Sequence, residues 1–155
     1  MNDSINPVPD EYQGVTAYLV VRNAAAAIDF YTSVFGAVEV LRLATPDGII
    51  GHAELRVGGG VFMLAEEVPD MDIKAPPSIG GSSVGLMIYV PDAKTVFQAA
   101  VDAGATVFKP ICEQFYGDLS GTIDDPFGHR WTIAQRIEDV SPDEVRKRFE
   151  DIFVD

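Results

Sequence analysis

The chain has 155 residues, of which 47% are apolar, and its formal net charge is −13. This length fits one domain or two small fused modules, and the apolar runs fall short of the roughly 20 residues that cross a bilayer. The acidity argues against nucleic acid and anionic lipid as partners, because binding a polyanion requires Lys and Arg to displace counterions. It favours solubility, or a cleft that attracts a cationic ligand.

Residues 1–14 predict a tail without an export signal, because no basic region precedes an apolar stretch there. The single cysteine, Cys112, cannot form an internal disulfide, which fits a reducing compartment. We expect Cys112 to be a small buried apolar residue rather than a reactive thiol. The expected location is the cytoplasm, with no membrane association.

Residues 15–66 predict a βαβββ module. Residues 15–21, VTAYLVV, are mostly apolar and β-prone, as in a strand that is buried on both faces. Asn23 can cap a helix whose apolar residues recur at helical spacing, and Gly36 suits its C-terminus. Three short strands with turns at PDG and GGG complete the module, namely AVEVLRLAT, IIGHAELRV and VFMLAEE.

The same pattern returns in residues 84–136. VGLMIYV predicts a strand, Asp92 can cap the next helix, and Gly104 can end it. Strand-like segments follow at TVFKPI, GDLSGTIDD and HRWTIAQ. Residues 67–83, which are rich in Pro, Gly and Ser, predict a linker between the two modules.

The two modules align with a nearly constant offset. Val21 corresponds to Val90 and Leu64 to Ile133, in both cases 69 residues further along the chain. A constant offset over some fifty residues indicates two copies of one structural unit.

Residues 137–155 predict a C-terminal amphipathic helix. Ser141 can cap it, Pro142 suits its first position, and Glu144 completes a capping box. Its apolar stripe docks either on its own domain or on a partner chain, and the sequence leaves both open. Together the elements predict an α+β fold of two βαβββ modules with a C-terminal helix.

The modules resemble the vicinal oxygen chelate superfamily, which includes glyoxalase I, extradiol dioxygenases and bleomycin-resistance proteins. Within it the chain is most similar to the PhnB-like, glyoxalase-like branch. The resemblance rests on YLVVRNAAAAIDFYTSVFGA (18–37) and DPFGHRWTIA (125–134), and it covers residues 15–136. It implies paired curved mixed sheets around a cleft, a small-molecule ligand, and a homodimer whose cavities use residues of both chains.

Metalloenzymes of the superfamily hold a divalent ion on the first and last strands of each module. The resemblance carries those positions to Thr16, Met63, Gly85 and Thr132. Divalent metals prefer His, Asp, Glu and Cys, so we expect no metal there and predict no cofactor. The alternative is a displaced metal site drawn from His52, Glu54 and Asp118.

Strand parity predicts the residues that line the cleft, because alternate side chains of a strand point to opposite faces. The predicted ligand-binding residues are Thr16, Tyr18, His52, Glu54, Met63, Met87, Tyr89, Phe115, Tyr116 and Thr132. His52 and Glu54 share one strand face, which is either the cleft or solvent. An imidazole beside a carboxylate can act as a general base, so these two are the candidate catalytic residues. The rings of Phe115 and Tyr116 suit either stacking on a planar ligand or a place in the core.

Three functions remain open on the sequence. The first is a metal-free protein that sequesters a medium-sized organic compound by shape, cationic compounds included, like the superfamily's resistance proteins. The second is an enzyme, either a lyase or isomerase that uses His52 and Glu54, or a dioxygenase-type metalloenzyme with displaced ligands. The third is a structural domain that binds no ligand and assembles through the C-terminal helix.

The segment DDPFGHRW, residues 124–131, combines two carboxylates and a histidine, as a metal or proton-transfer site would. Pro126 and Gly128 instead favour a tight turn, since Pro fixes φ and Gly adopts positive φ. The first module has VGGGVF at the same place, without carboxylate or histidine. We therefore interpret this segment as a turn.

Overall fold

The computed structural model describes residues 5–154, in which eight strands, four α-helices and one 3-10 helix form. In chain order they are β1 (Tyr18–Val21), α1 (Ala24–Phe35), β2 (Val38–Ala44), β3 (Ile50–Val57), β4 (Gly60–Glu66), the 3-10 helix (Pro69–Met71), α2 (Pro76–Ile79), β5 (Gly85–Tyr89), α3 (Ala93–Asp102), β6 (Thr106–Glu113), β7 (Asp118–Asp124), β8 (Arg130–Arg136) and α4 (Pro142–Asp151). Residues 1–4 of the predicted tail and residue 155 of the predicted C-terminal segment lie outside the described range. No helix within residues 5–154 has the length and apolar composition that spanning a membrane requires.

The chain forms two compact units, of which unit 1 ends at Ile79 and unit 2 begins at Gly80. Each unit holds one four-stranded sheet, with strand order β1-β4-β3-β2 in unit 1 and β5-β8-β7-β6 in unit 2. In each sheet the first and last strands of the unit pair in parallel, and the other pairs are antiparallel. The prediction of an α+β fold with two βαβββ modules and a C-terminal helix is confirmed.

Strand pairing preserves the repeat. Tyr18 of β1 lies opposite Met63 of β4, and Met87 of β5 lies opposite Thr132 of β8, with each unit 2 residue 69 positions after its unit 1 counterpart. The neighbouring strands β3 and β7 correspond with an offset of 68, because Ala53 pairs with Leu64 and Gly121 with Ile133. Every unit 1 strand residue in β1, β3 and β4 therefore has a defined counterpart in unit 2.

In each unit a helix covers one face of the sheet. In unit 1, Tyr31 of α1 packs edge-on against Phe62 of β4 with ring centroids 5.4 Å apart, and Leu55 and Leu64 are fully buried. In unit 2, Phe97 of α3 lies so close to β7 that a Cβ on Gly121 would come within 2.5 Å of its ring. Hence the helix face of each sheet forms the core, as the strand parity predicted.

Both long crossover helices begin at a capped N-terminus. The predicted caps Asn23 and Asp92 each accept a hydrogen bond from the backbone N–H three residues later, at 3.1 Å. The last strand of each unit adds a second acceptor that the sequence did not reveal. Glu66 accepts from the backbone N–H of the cap Asn23 at 2.7 Å and from that of Ala24, the first residue of α1, at 2.6 Å. Gln135 accepts from the backbone N–H of Ala93, the first residue of α3, at 3.1 Å. These acceptors satisfy donors that a helix terminus leaves unpaired.

Three local predictions differ from the structure. Strand β1 begins at Tyr18 rather than at residue 15, so Thr16 precedes it. Cys112 is exposed rather than buried, because it lies on β6, the edge strand of its sheet. The predicted linker contains the 3-10 helix and the short α2, which its Pro, Gly and Ser content did not indicate.

Glu67 fixes the segment that follows β4. Its carboxylate accepts hydrogen bonds from Arg22 Nε at 2.5 Å, from Ser78 Oγ at 2.5 Å and from the backbone N–H of Ala75 at 3.0 Å. The hydrogen bond from Ser78, followed by those from Ala75 and Arg22, lowers the pKa of Glu67 to about 2. The segment is therefore held against the end of β1 by one carboxylate.

The segment between β7 and β8 is a turn, as its sequence predicted. The Asp125 carboxylate accepts from the backbone N–H groups of Phe127 and His129, both at 2.9 Å, and from Trp131 Nε1 at 3.0 Å. Gly128 adopts a φ of 90°, which suits glycine. This carboxylate thus organises the turn from a buried position.

Candidate functional site

The face of the unit 1 sheet opposite α1 carries a row of predicted site residues. Strand pairing places Tyr18, Met63 and Glu54 next to one another across β1, β4 and β3. His52 lies two residues from Glu54 on the same face of β3. Tyr18 is 51% exposed, whereas His52, Glu54 and Met63 are half-buried, so this face is accessible.

Four side chains on this face form a continuous hydrogen-bonded chain, the unit 1 polar network. Tyr18 Oη lies 2.7 Å from His52 Nδ1, and His52 Nε2 lies 3.2 Å from Glu54 Oε1. Tyr12 Oη donates to the other oxygen of Glu54 at 2.6 Å. The ring of Tyr18 also packs against that of His52, with centroids 5.5 Å apart.

The chemistry of the network assigns its donors. An ionised carboxylate only accepts, so His52 Nε2 carries the hydrogen that Glu54 receives. In a neutral imidazole the other nitrogen, Nδ1, is then an acceptor, and the Tyr18 hydroxyl donates to it. The arrangement is a basic nitrogen in contact with a phenol and oriented by a carboxylate, which is the pattern of an activated proton-transfer group.

The network also shifts the pKa values of Glu54 and Tyr12. The hydrogen bond from Tyr12, followed by that from His52, holds the pKa of Glu54 below its ordinary value. Donation to Glu54 raises the pKa of Tyr12. Both shifts favour the same state, in which Glu54 is ionised and Tyr12 is protonated.

Tyr12 was absent from the predicted site. It lies in the predicted tail, where strand periodicity gives no information, and it reaches Glu54 across 42 positions of sequence. Its only signal is an aromatic residue in the polar segment DEYQG. Thr16, in the same stretch, is half-buried and lies outside the regular strand.

The corresponding face of the unit 2 sheet is chemically different. Met87, Thr132 and Thr122 form the row that matches Tyr18, Met63 and Glu54. The hydroxyls of Thr122 and Thr132 lie 3.0 Å apart and hydrogen-bond to each other. This row therefore contains no titratable side chain.

Three further predicted site residues, Tyr89, Phe115 and Tyr116, also belong to unit 2. Tyr89 and Tyr116 line a cavity of about 430 Å³, where Tyr89 donates to Asp118 Oδ2 at 2.5 Å. Phe115 packs against Tyr116 and against Phe149 of α4, with centroid distances of 5.1 and 5.8 Å. Phe115 is thus part of the contact between α4 and its own unit. Whether any of these residues binds a ligand stays a prediction.

The residues at the superfamily's metal positions do not fit a divalent ion. Thr16, Met63, Gly85 and Thr132 offer no carboxylate, imidazole or thiolate, and the Thr132 hydroxyl is bonded to Thr122. Across residues 5–154 there is no group of three or more His, Cys, Asp or Glu arranged to hold a metal. Of the displaced set, His52 and Glu54 belong to unit 1 and Asp118 to unit 2.

Known proteins share this architecture. Residues 13–133 match the family model of the Glyoxalase/Bleomycin resistance protein/Dioxygenase superfamily. An uncharacterized protein of Mycobacterium bovis is 42% identical over 135 residues, which are 85% of this chain and 89% of that protein.

Solved structures agree at the level of the fold. A gene product from Arabidopsis thaliana is 28% identical with a TM-score of 0.64, covering 79% of this chain and 98% of that one. A PhnB protein from Bacillus cereus is 21% identical with a TM-score of 0.63, covering 79% and 99%. The chain therefore belongs to the glyoxalase/bleomycin resistance protein/dioxygenase superfamily.

Proposed function

We propose that this chain is a metal-free small-molecule-binding protein of its superfamily, and that its ligand contacts the open face of the unit 1 sheet. One observation carries the proposal, namely the unit 1 polar network of Tyr12, Tyr18, His52 and Glu54 on an accessible sheet face. Polar groups fixed in orientation within an otherwise apolar surface are what a specific small-molecule site requires.

The surroundings of the network support an organic ligand. Leu41 and Leu43 of β2 lie opposite Glu54 and His52 in the sheet, and both are exposed together with Tyr18. Apolar side chains and an aromatic ring therefore flank the hydrogen-bonding groups, so a ligand can bury apolar surface while it bonds to Tyr18. The net charge of −13 favours a neutral or cationic compound over an anion.

We further propose that the protein acts as a homodimer in the cytoplasm. Exposed apolar residues on the open faces of both sheets, Tyr18 and Leu43 in unit 1 and Met87 and Tyr89 in unit 2, support burial of these faces by a second copy. The expected measurement is a dimer mass by light scattering, at micromolar concentration. A monomer under these conditions contradicts the dimer without affecting the ligand proposal.

The metal-free part of the proposal is tested by elemental analysis and by thermal unfolding. Protein purified without chelator is expected to hold no stoichiometric metal, and added Mn²⁺, Fe²⁺, Ni²⁺ or Zn²⁺ should leave the melting temperature unchanged. One tightly bound metal per chain overturns it. His52→Gln is the matched variant for the metal test, because it replaces the imidazole on this face with an amide of similar length.

A second candidate function is proton transfer by a lyase or isomerase. The contact of His52 with both Tyr18 and Glu54 favours it, since a base oriented by a carboxylate suits abstraction of a proton next to a carbonyl. Its test is deuterium incorporation from D₂O into a panel of α-hydroxy ketones. Enzymatic exchange that His52→Gln abolishes establishes catalysis, whereas no exchange across the panel leaves binding as the function.

A further inference from the structure

The second site is the unit 2 cavity, which lies between α4, the start of β7 and the ends of β5 and β8. Its volume is about 430 Å³, within the range of roughly 300 to 1,000 Å³ that is typical of small-molecule sites. It is lined by Tyr89, Tyr116, Asp118, Arg136, Glu138, Val140, Pro142, Val145 and Arg146. All of these residues belong to unit 2, and none of them is a member of the unit 1 polar network.

Asp118 contributes a buried carboxylate to the lining of the cavity. It is 4% exposed, and its counterpart in unit 1, at the same position of strand β3, is the buried Ile50. Burying a carboxylate costs free energy unless partners satisfy it, so its presence at a position that accepts isoleucine calls for a reason. One copy of the repeat has a carboxylate where the other has a buried isoleucine.

Only one oxygen of Asp118 is satisfied by the protein. Oδ2 accepts the hydrogen bond from Tyr89, while Oδ1 accepts none from the described residues. Because residues 5–154 contain no fully buried side-chain oxygen or nitrogen without a partner, Oδ1 reaches the cavity that Asp118 lines. A donor group of a ligand can therefore donate a hydrogen bond to Oδ1 of this carboxylate.

Two cationic side chains also line the cavity, and one of them, Arg136, lies directly opposite Asp118 in the pairing of β7 with β8. Arg136 is paired with Asp139 at 3.6 Å, and Arg146 is paired with Asp143, in each case with a carboxylate that is more than nine-tenths exposed. Exposed ion pairs of this kind contribute little free energy, so both guanidinium groups can turn to an anionic ligand group at small cost. Val140, Pro142 and Val145 form an apolar wall of the cavity.

The cavity is built by fixed elements. Gly117 has a φ of 95°, and a Cβ there would lie 2.6 Å from the carbonyl oxygen of Glu138, so only glycine allows the approach of these two segments. Arg148 of α4 donates to the carbonyl oxygen of Phe115 at 3.1 Å and to both oxygens of Glu138 at 2.9 and 2.7 Å. These contacts hold the helix, the turn before β7 and the segment after β8 in one arrangement.

We propose that the unit 2 cavity binds a small zwitterion of the amino-acid type, with its ammonium group on Asp118 Oδ1, its carboxylate on Arg136 and Arg146, and its apolar body against the wall. This site goes beyond the function proposed for unit 1 and does not depend on it. The ammonium and carboxylate of an α-amino acid are attached to one carbon, which matches the neighbouring positions of Asp118 and Arg136. A charge-assisted bond to each group fixes the orientation of the ligand, and the buried carboxylate selects against molecules that lack a donor.

Three probes with the same phenyl group test the proposal, namely phenylalanine, phenethylamine and 3-phenylpropionate. The affinity of each is measured by NMR chemical-shift titration of the full chain. Phenylalanine is expected to bind most tightly and phenethylamine about tenfold more weakly, because it lacks one charge-assisted contact. The anion 3-phenylpropionate should bind weakest, since it places no donor on Asp118. Equal affinities, or no saturable binding of phenylalanine below about 10 mM, overturn the proposal.

Single substitutions separate the contribution of the Asp118 carboxylate from that of the guanidinium groups. Asp118→Asn should weaken phenylalanine and phenethylamine by about tenfold while leaving 3-phenylpropionate unchanged or tighter. Arg146→Gln, at an exposed position that folding tolerates, should weaken phenylalanine but not phenethylamine. Asp70→Asn in unit 1 is the charge-matched control and should change none of the affinities. If Asp118→Asn binds the amines as well as the unmodified chain does, the assignment of Asp118 is wrong.

Discussion

The two units share one scaffold but carry different chemistry on equivalent positions. Where unit 1 has Tyr18, Glu54 and Met63 in one row of the open sheet face, unit 2 has Met87, Thr122 and Thr132. The unit 1 row joins His52 in a hydrogen-bonded network with titratable groups, and the unit 2 row is neutral.

At other equivalent positions it is unit 2 that has the polar side chains. Val20 and Ile50 in unit 1 correspond to Tyr89 and Asp118 in unit 2. Tyr89 and Asp118 line the unit 2 cavity. Each copy of the repeat thus keeps apolar or neutral residues where the other has polar groups. The two units therefore share a core pattern and differ in the side chains of their open surfaces.

The shared scaffold predicts equal costs for equivalent core changes. Leu64 and Ile133 occupy the same position of the two sheets, and both are fully buried. Leu64→Ala and Ile133→Ala should each lower the free energy of unfolding by about 2 to 5 kcal/mol, through lost burial and the cavity left behind. Urea unfolding measures both. A cost below about 1 kcal/mol for either variant contradicts the equivalence of the two cores.

A smaller effect is expected where the two cores differ in shape. Gly121 leaves room for Phe97, whereas unit 1 has Ala53 and Ile28 at the matching positions. Gly121→Ala should cost about 1 to 3 kcal/mol by overpacking, and the additional change Phe97→Ile should restore part of this loss.

Gly85→Ala is the control for that experiment, because a Cβ at this strand position meets no atom within 4 Å. It should leave the urea midpoint nearly unchanged. If the double variant is no more stable than Gly121→Ala alone, the close approach of Phe97 is not the reason why position 121 requires glycine.

Low pH should lower the stability of unit 1 through the hydrogen bonds of Glu67, a contact that unit 2 does not have at the equivalent position. The folded-state pKa of Glu67 is about 2, below its ordinary value of 4.5, so its contribution to stability is complete above pH 4.5 and is lost as the pH falls towards 2. The position 69 residues later is Arg136. Glu67→Gln should therefore flatten the fall in melting temperature between pH 4.5 and 2, whereas Glu113→Gln, on an exposed edge strand, should not. An unchanged pH profile in Glu67→Gln refutes the assignment.

The smallest effects concern two tyrosines that donate to carboxylates, one in each unit. The pKa of Tyr12 is raised by its hydrogen bond to Glu54, and that of Tyr89 by its hydrogen bond to Asp118. Glu54→Gln and Asp118→Asn should each lower the pKa of one tyrosine towards 10, as ultraviolet titration can measure. A raised folded-state pKa means that the contribution of each hydrogen bond is complete below pH 10 and is lost at higher pH. No change in either titration would show that the carboxylates do not hold these phenols.

Much of the fold was predictable because it depends on local patterns. Strand periodicity, the caps Asn23 and Asp92 and the constant offset between modules are all readable from neighbouring residues, and the structure agrees with them. The exposure of Cys112 was not predicted, because strand sequence does not reveal which strand forms the edge of a sheet.

The candidate site was predicted only in part, for the same reason. Parity predicted that Tyr18 and Met63 face the cleft and that His52 and Glu54 share one face of their strand, since that requires only the alternation of a strand. It left open whether the two faces coincide, and strand pairing shows that they do. Tyr12 and the Tyr89 to Asp118 contact depend on pairs 42 and 29 positions apart, which periodicity does not report. The unit 2 cavity likewise depends on where α4 packs.

Native mass spectrometry of the freshly purified full chain tests the central claim, that the unit 1 polar network binds an organic ligand without metal. We expect one organic adduct per chain and no metal. The adduct should be lost in Tyr18→Phe and His52→Gln, and retained in Thr122→Val, the matched variant of unit 2. A stoichiometric metal, no adduct, or an adduct that Tyr18→Phe and His52→Gln both retain would contradict the claim.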